Sequence, residues 1–535
     1  MNDDLLGIKG KKSPRFIYYL GDRPKLVLQS VVKNVYKRYA HMFIGIEGGK
    51  WLDEMENITA RYLYGHEEYE ITDSSFDGII RLIYTRSDKL DAMLIKVELP
   101  DSIKNKLVIV TAGENGAASS QPTGGNTAGL EFTIADTAAC NVKIYNNIFR
   151  ISGTDDISIC GTASIPMDYS VKDASLYGKS VDDLLGSNGG TYPIIAGRTV
   201  GNTDNEIYFL LTTEHSDNKY IEEFRTNAEE IFDSGINYYK SVSEAVKMNT
   251  PDPSLNACMI SQMVASDASW DWPSITHGPM GWHVAFGGWR SHYGFVDAGW
   301  GDRIKINAKQ FMETQNDNGR IWVYPYADDR YNMNIVLVDG LLHYWEWSGD
   351  NIFFAEEGGY DFVAGHLRFM DSSMQVPGTN LYENWLDAWN TDNKWNNGGA
   401  GSIATAYTWR AYSTMARLAA GLGKIEDSVK YQRKADMIKA DMNEQLWDAD
   451  IGVFGEYRER FGYGRLNTAP DLSSVYTPID MGLTTSEQAC QMLYYTDYAI
   501  PSIENQDGIW EGIDFKYSSN RLPEYYSSDG LYIQL

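Results

Sequence analysis

The chain has 535 residues, with 46 Lys or Arg against 73 Asp or Glu, so its formal net charge at pH 7 is −27. This acidity argues against binding nucleic acid through the phosphate backbone, which depends on clustered basic residues. Hydrophobic residues make up 43% of the chain, yet no apolar run approaches the roughly 20 residues of a membrane-spanning helix. We therefore expect a multidomain globular protein with no nucleic acid partner and no membrane span.

The first 217 residues predict a domain of short β-strands. Runs rich in β-branched and aromatic residues are separated by turn residues such as those at 21–24 and 48–49. The predicted strands span residues 15–19, 25–31, 42–46, 79–84, 92–98, 107–110, 142–151 and 206–212. Many short strands at this spacing are typical of a β-sandwich.

The hydrophobic period changes near residue 218, which separates the predicted domains. Residues 220–248 carry apolar side chains at helical spacing with a break near Gly235, and we interpret residues 218–250 as linker helices. Pro251 and Pro253 then mark a boundary. Residues 251–535 predict a helical domain that carries the active site.

The clearest helical unit is residues 403–447, where Gly423 separates two helices with apolar residues at three- or four-residue steps. Weaker helical segments lie at 255–265, 304–316, 335–347, 362–374 and 486–494. This spacing predicts stacked αα-hairpins of roughly 40–50 residues each. The apolar end at Leu535 favours a native chain that continues further and is truncated here.

Tryptophan is concentrated in the middle of the helical region. Twelve of the 15 Trp and five of the eight His lie between residues 270 and 409. Flat indole faces stack against the C–H faces of sugar rings, whereas the alternative is that large aromatic side chains fill a helical core. The clustering favours a carbohydrate partner.

One aromatic loop, residues 270–303, combines indoles with glycines and carboxylates. Its candidate substrate-binding residues are Trp282, His283, Trp289 and Arg303. Its candidate catalytic residues are Asp297 and Asp302, because glycoside cleavage needs a protonated carboxyl group and a second carboxylate across the sugar. A Trp-rich wall raises a carboxyl pKa by desolvation, which suits a general acid. The alternative for Asp302 and Arg303 is a helix N-cap with a surface ion pair.

A second carboxylate-rich loop, residues 380–399, leads directly into the helix at 403. Glu383 and Asp387 are four residues apart, so one helical turn would place both on the same face. Glu383 is a candidate catalytic residue, and Trp385 and Asp387 are candidate substrate-binding residues. We expect no cofactor and no metal, with calcium bound by oxygen ligands of residues 390–399 as the alternative.

A third carboxylate-rich region follows the helical hairpin and includes Glu456, Asp480 and Glu511. Glu511, beside Trp510, is a candidate catalytic base, with an ordinary surface acid as the alternative. Arg330 is a candidate substrate clamp, with a structural turn as the alternative. The sequence contains neither the HExxH motif of zinc proteases nor the GxSxG motif of α/β-hydrolases.

The order of predicted β-sandwich, linker helix and helical hairpins with Trp-rich loops resembles the six-hairpin glycosidase superfamily. The supporting segments are residues 299–303, 382–389 and 406–423, which are similar to a rhamnosidase-like branch from bacterial polysaccharide-utilisation loci. The resemblance implies an N-terminal β-sandwich followed by an (α/α) six-hairpin toroid, with a funnel lined by the loops that connect the helices. Rhamnosidase-like members end an acidic stretch in Gly-Trp-x-Gly-Asp, and the corresponding stretch here, Asp297–Asp302, is one residue shorter.

We interpret the chain as a glycoside hydrolase, with an inverting mechanism, that acts on a poly- or oligosaccharide. Asp297 or Glu383 would donate the proton, and Asp302 or Glu511 would orient water. One alternative is a sugar phosphorylase on the same scaffold, and another is a non-catalytic carbohydrate-binding protein. A polymeric substrate favours a periplasmic or secreted location, with the cytoplasm as the alternative.

Overall fold

The computed structural model describes residues 15–19, 21–32, 35–89, 92–113, 134–138, 140–153, 158–201, 204–212, 218–271, 273–275, 291–322, 332–384, 399–468, 470, 472–499, 502–504 and 514–516. These residues belong to two compact units. The first contains the described residues up to Asp271, and the second contains residues 273–275 and the described residues from Ser291 onwards. The first unit is rich in sheet and the second is mostly helical, as the sequence predicted.

Two antiparallel sheets make up most of the described part of the first unit. Their strands are β1 (Arg15–Tyr19), β2 (Leu26–Val32), β3 (Val35–Ile46), β4 (Asn57–Leu63), β5 (His66–Thr72), β6 (Ile80–Arg86), β7 (Ala92–Glu98), β8 (Leu107–Gly113), β9 (Asn141–Tyr145), β10 (Ile148–Ser152), β11 (Ser158–Ala163), β12 (Met167–Asp173), β13 (Pro193–Thr199) and β14 (Glu206–Thr212). One sheet has the order β1-β2-β3-β8-β13-β12, and the other has the order β4-β5-β6-β7-β14-β11-β10-β9. The predicted strands at 15–19, 92–98 and 206–212 match β1, β7 and β14.

The two sheets share one hydrophobic core. Alternate residues of a strand point to opposite faces, so a strand of either sheet can direct one set of side chains to the shared interior. Met42 and Ile44 of β3 join Tyr69, Leu82 and Ile95 of the other sheet in one buried cluster. Burial of this apolar area, at about 25 cal/mol per Å², is the main force that stabilises the unit.

The segment predicted as a single strand over residues 142–151 is a hairpin instead. β9 and β10 pair in antiparallel fashion and are joined by Asn146 and Asn147, whose φ angles are +47° and +60°. Positive φ at both central residues is the type I′ turn, which asparagine tolerates better than other residues with a side chain. The prediction was wrong because the two asparagines interrupt an otherwise continuous β-rich run.

Two helices pack on the second face of the eight-stranded sheet. The helices of this unit are α1 (Val181–Gly186), α2 (Asn218–Thr226), α3 (Ala228–Ser243) and α4 (Pro253–Ala268). Phe224 of α2 and Phe232 of α3 pack with Leu94 and Leu210 of the sheet in a second buried cluster. The segments predicted as linker helices therefore pack on the sheet as part of the first unit.

The predicted helix break near Gly235 is wrong, because the break lies at Asn227 and Gly235 is inside α3. A Cβ atom at Gly235 would lie 2.5 Å from the carbonyl oxygen of Arg86. Glycine at this position lets α3 approach the end of β6 closely. Its role depends on a contact with a strand that is distant in sequence, which a local pattern does not reveal.

The second unit is built mainly from helices joined by very short strands. Its helices are α5 (Ser291–Asp297), α6 (Gly301–Met312), α7 (Asn332–Ser348), α8 (Asn351–Glu356), α9 (Gly359–Phe369), α10 (Ser402–Gly421), α11 (Ile425–Gln445), α12 (Leu472–Asp480) and α13 (Ser486–Tyr498). The short strands of the chain after α4 are β15 (Trp270–Asp271), β16 (Ser274–Ile275), β17 (Gly399–Gly401), β18 (Trp447–Asp448), β19 (Val453–Phe454), β20 (Tyr457–Glu459), β21 (Ser502–Glu504) and β22 (Asp514–Lys516). The weaker helical predictions coincide with α4, α6, α7, α9 and α13, with differences at their ends.

The predicted hairpin is formed by α10 and α11. Gly423 has a φ of +74°, and its backbone N–H donates to the carbonyl of Ala420 at 3.0 Å, which ends α10. Met415 and Leu418 are fully buried where α10 packs against its neighbours α7, α11 and α12. Because α10 begins directly after β17, this packing also fixes the start of the helix and the small strand before it.

Candidate functional site

The structure describes four of the predicted site residues, which are Asp297, Asp302, Arg303 and Glu383. The other predicted site residues lie outside the described residues, and their roles stay predictions. They are Trp282, His283, Trp289, Arg330, Trp385, Asp387 and Glu511.

Asp297 and Asp302 lie on consecutive helices with exposed side chains. Asp297 is the last residue of α5, and Asp302 is in the first turn of α6, whose N-cap residue is Trp300. The Asp302 side chain is 90% exposed, and its carboxylate lies 3.1 Å from Nζ of Lys305. The hydrogen bond to Asp302 raises the Lys305 pKa. Asp302 therefore forms a surface ion pair, as the alternative held, but it does so with Lys305 and is not the N-cap of α6. A catalytic role for either aspartate stays a prediction.

The clustered tryptophans that the structure describes are not core residues. These are Trp270, Trp300, Trp322, Trp345, Trp347 and Trp409, and each of the six is at least partly exposed. Trp322 is 41% exposed and Trp347 is 70% exposed. Arg303 lies over the Trp300 ring, with Cζ 4.5 Å from the ring centre. Two of the six therefore face solvent, and the other four are partly buried at the edge of the core.

Glu383 is held by hydrogen-bond donors on both carboxylate oxygens. Nη1 of Arg460 donates to Oε1 at 2.8 Å, and the backbone N–H of Gly399 donates to Oε2 at 2.8 Å. The Glu383 side chain is only 13% exposed. Hydrogen bonds between charged groups are shorter and stronger than neutral ones. The carboxylate is therefore fixed in one orientation before any ligand binds.

A small antiparallel sheet at the start of α10 brings these groups together. Glu383 forms a β-bridge with Ala400 of β17, and Ala400 lies opposite Arg458 of β20. Directly opposite residues share one face of a sheet, as do residues two apart along a strand. Arg460, two residues beyond Arg458, therefore lies on the same side as Glu383. On its other edge, Arg458 forms a further bridge with Leu466.

Gly399 is needed where the chain passes between Glu383 and β20. Its φ is +122°, and a Cβ atom there would lie 1.9 Å from the carbonyl oxygen of Arg458. Only glycine accepts both the conformation and the close approach. The Gly399 N–H thereby reaches Glu383, while its carbonyl accepts the backbone N–H of Asn384 at 2.8 Å.

The segment that carries Glu383, residues 380–384, is anchored by two further carboxylates. The hydroxyls of Tyr382 and Tyr412 each donate to one oxygen of Asp371 at 2.8 Å. The backbone N–H of Asn380 donates to Asp441 at 2.6 Å. Burial, together with the nearby Tyr412 and Asp371, raises the Tyr382 pKa well above its usual range, so this phenol remains a donor.

Glu456 is a second carboxylate in the same small sheet. It is 5% exposed, its Oε2 accepts the side-chain N–H of Asn467 at 3.2 Å, and its carbonyl accepts the backbone N–H of Ser402 at 3.0 Å. The sequence pointed to Glu456 only as part of a carboxylate-rich region. Arg460 was missed altogether, because it is 77 residues from Glu383 in the chain. The two arginines at 458 and 460 were the only local feature of the sequence that could have indicated a partner for Glu383.

An open acidic depression of about 740 Å³ lies elsewhere, on the first unit. Asp88 and three acidic residues of α3, Glu229, Glu230 and Asp233, contribute to its lining. None of the described residues that line it was predicted as a site residue. Within the described parts of the chain, no three His, Cys, Asp or Glu residues are grouped so as to hold a metal ion. The described helices also include none with the length and apolar character needed to cross a bilayer.

No protein-family model matches the sequence, and no curated protein matches it. Solved structures do match the fold. A bacterial glucoamylase, solved in complex with acarbose, superimposes with a TM-score of 0.59 at 12% identity, over 96% of this chain and 82% of the glucoamylase. At this identity the similarity shows a shared fold.

Two further glycosidases match less well. A family GH78 rhamnosidase of Bacillus sp. GL1 gives a TM-score of 0.42 at 14% identity, over 58% of this chain and 30% of the rhamnosidase. A family GH92 inverting mannosidase from Bacteroides thetaiotaomicron gives a TM-score of 0.45 at 11% identity, over 92% of this chain and 71% of the mannosidase. The resemblance to glycosidases that the sequence indicated is confirmed for the fold by the glucoamylase.

Proposed function

We propose that this protein is a glycoside hydrolase that cleaves a glycosidic bond in a poly- or oligosaccharide, with Glu383 as a catalytic carboxylate. The observation that carries the proposal is the arrangement around Glu383, whose two oxygens are fixed by Arg460 and Gly399 at 2.8 Å each. Glycoside cleavage uses a pair of carboxyl groups, of which Glu383 would be one. The fold shared with a glucoamylase supports the same function.

In the proposed architecture, the two sheets are a β-sandwich and the helical unit is part of an (α/α) toroid. The common core of the two sheets and the α10–α11 hairpin support this assignment. The Glu383 segment and β17 then belong to a loop that connects two helices, α9 and α10. Such loops line the funnel of a toroid, which is where a sugar chain would enter.

The proposed mechanism is inverting. One carboxyl group protonates the leaving oxygen while a second carboxylate activates a water molecule on the opposite face of the sugar, at a separation of about 6.5–9.5 Å. Glu383 or Asp297 supplies the proton, and Asp302 or Glu511 orients the water. The chemistry needs no metal ion, so turnover should survive a chelator, whereas its loss would support calcium binding by residues 390–399. A polysaccharide substrate would place the enzyme in the periplasm or outside the cell.

The proposal is tested by incubating the protein with a panel of plant and microbial polysaccharides and measuring released sugar. Glu383→Gln should lower turnover by about 100-fold or more, the usual effect of losing an acid–base group. Glu426→Gln, an exposed residue in the first turn of α11, is the matched control and should leave turnover unchanged. Proton NMR of the first product formed would report inversion or retention at the anomeric carbon.

Three results would contradict parts of this proposal. Turnover by Glu383→Gln equal to that of the unaltered protein would exclude Glu383 from the chemistry. Release that requires phosphate would identify a sugar phosphorylase. Binding of a polysaccharide with no cleavage would identify a carbohydrate-binding protein.

A further inference from the structure

Residues 460–465 form the tip of the hairpin that runs from β20 to Leu466, and we call this segment the aromatic tip. Its sequence is Arg-Phe-Gly-Tyr-Gly-Arg. The hairpin is closed by backbone hydrogen bonds of 2.9 Å from the Glu459 N–H to the Arg465 carbonyl and 2.8 Å from the Asn467 N–H to the Tyr457 carbonyl. The tip is therefore a defined turn at the end of a paired stem.

The aromatic side chains of this tip face solvent. Phe461 is 61% exposed and Tyr463 is 87% exposed. Gly462 and Gly464 have φ angles of +96° and +63°, so the glycines make the turn that projects the two rings outward. Large exposed rings lose the free energy that burial would supply, and their clustering at one tip indicates a contact surface.

Each ring of the tip is accompanied by an arginine. Cζ of Arg460 lies 5.2 Å from the Phe461 ring centre, and Cζ of Arg465 lies 4.9 Å from the Tyr463 ring centre. A guanidinium over an aromatic face is attracted by the ring quadrupole, at about 0.5–1 kcal/mol for an exposed pair. These contacts restrict the rings, so less conformational entropy is lost when a ligand stacks on them.

The tip is fixed next to Glu383. Arg460 forms the ion pair with the Glu383 carboxylate, so the first residue of the tip also positions the proposed catalytic group. Arg458 holds the tip from inside, because Nη1 donates to the Gly464 carbonyl at 2.9 Å and Nε donates to the Gln445 carbonyl at 2.8 Å. Arg460 thus contacts both the Glu383 carboxylate and the Phe461 ring, so a ligand that stacks on Phe461 is close to Glu383.

We propose that the aromatic tip is a subsite that stacks a sugar ring of an uncharged glycan beside Glu383. The rings of Phe461 and Tyr463 supply the flat apolar surface, and the guanidinium of Arg465 supplies N–H donors for sugar hydroxyls. This inference rests on the proposed function and names the substrate class of the same site.

Charge favours a neutral ligand over an acidic one. Arg460 is already paired with Glu383, and the Glu459 carboxylate, which accepts the backbone N–H of Arg465 at 3.2 Å, places a second negative charge beside the tip. Acidic and basic groups are thus balanced around the tip, within a chain of net charge −27. A polyanionic glycan would meet net repulsion from such a chain at low salt.

The test is binding of the full chain to an array of neutral and acidic glycans, followed by affinity electrophoresis in the glycans that bind. Tyr463→Ala should raise the Kd for a neutral glycan by about threefold to tenfold, the effect of losing one stacking contact. The matched control is Tyr498→Ala on α13, where the ring is 73% exposed and packs against Tyr494 of the same helix. Arg465→Gln should also weaken binding, whereas Arg433→Gln on α11 should not.

The outcomes separate this inference from the proposed function. Equal affinity for Tyr463→Ala and the unaltered protein would overturn the subsite, as would binding to acidic glycans alone or to no glycan. Tip-dependent binding without cleavage would support the subsite while it refutes the hydrolase. Cleavage with an unchanged KM in Tyr463→Ala would support the hydrolase while it refutes the subsite.

Discussion

Replacement of Gly399 by alanine is expected to disrupt the small sheet that holds Glu383. The Gly399 φ of +122° is a conformation that alanine rarely adopts, and the cost of such strain is about 1–3 kcal/mol. The added Cβ would also lie 1.9 Å from the Arg458 carbonyl oxygen and 2.7 Å from the Arg460 backbone nitrogen. Both atoms belong to the backbone, so β17 must move away from β20.

The expected loss of stability follows from the strain at Gly399 and from these distances. Strain of about 2 kcal/mol plus one weakened strand hydrogen bond of about 1 kcal/mol gives a destabilisation of about 3 kcal/mol. For a unit of this size, that corresponds to a fall in Tm of about 6–12 °C. Because the Gly399 N–H also donates to Glu383, we expect turnover to fall in the same variant even at temperatures where it stays folded.

Differential scanning calorimetry with Gly378→Ala as the control measures this prediction. Gly378 also has a positive φ, of +79°, but a Cβ atom there would meet nothing within 4 Å. The control therefore carries only the conformational cost of about 1–2 kcal/mol. A Gly399→Ala protein that melts no lower than Gly378→Ala would refute the close approach of β17 and β20.

Three further predictions concern stability. Arg410→Met should lower the free energy of unfolding by about 3 kcal/mol in urea denaturation, because the buried Asp339 loses a guanidinium 2.8 Å away. The exposed Arg417, changed to Met, is its control and should cost less than about 1 kcal/mol. Burial lowers the pKa of His366 to about 3, so the unfolded chain binds more protons below its ordinary pKa of 6.5 and stability falls as the pH drops through that range. His366→Leu should remove about 2 kcal/mol of the stability difference between pH 7 and pH 5, and an unchanged pH dependence would contradict this. Thr485→Ala should cost about 1 kcal/mol in the same denaturation assay, because its hydroxyl caps α13, and a cost near zero would argue against the cap.

The elements that the sequence predicted well are those with local causes. The α10–α11 hairpin could be recognised because its apolar period, and the glycine that ends α10, lie within one continuous segment. The β9–β10 hairpin and the position of Gly235 could not. The first depends on two asparagines that adopt positive φ, and the second on a carbonyl of β6 that α3 approaches closely. The spacing of apolar side chains along the chain encodes neither the turn nor this close approach.

At the candidate site, the sequence predicts the carboxylate Glu383 but does not predict the groups that bind it. Glu383 was predicted because an acidic, aromatic loop precedes a strong helix, which is local information. The donors that hold its carboxylate come from 16 and 77 residues further along the chain. Only the pairing of β17 with β20 brings them together, and that pairing rests on strands of three residues each. Strands this short carry too little sequence pattern to be predicted.

Aromatic enrichment in the sequence therefore indicates a kind of ligand better than it indicates the residues that touch it. The tryptophans between residues 270 and 409 led to the carbohydrate hypothesis, and each described member of that group is at least partly exposed. The aromatic rings that lie exposed on the hairpin of Arg460, however, are those of Phe461 and Tyr463, which fall outside that stretch. This hairpin is joined to Glu383 through an arginine and a strand pairing rather than through proximity in the chain. If glycan binding depends on Tyr463 and not on the tryptophans, the composition will have identified the substrate class while the sheet pairing identifies the subsite.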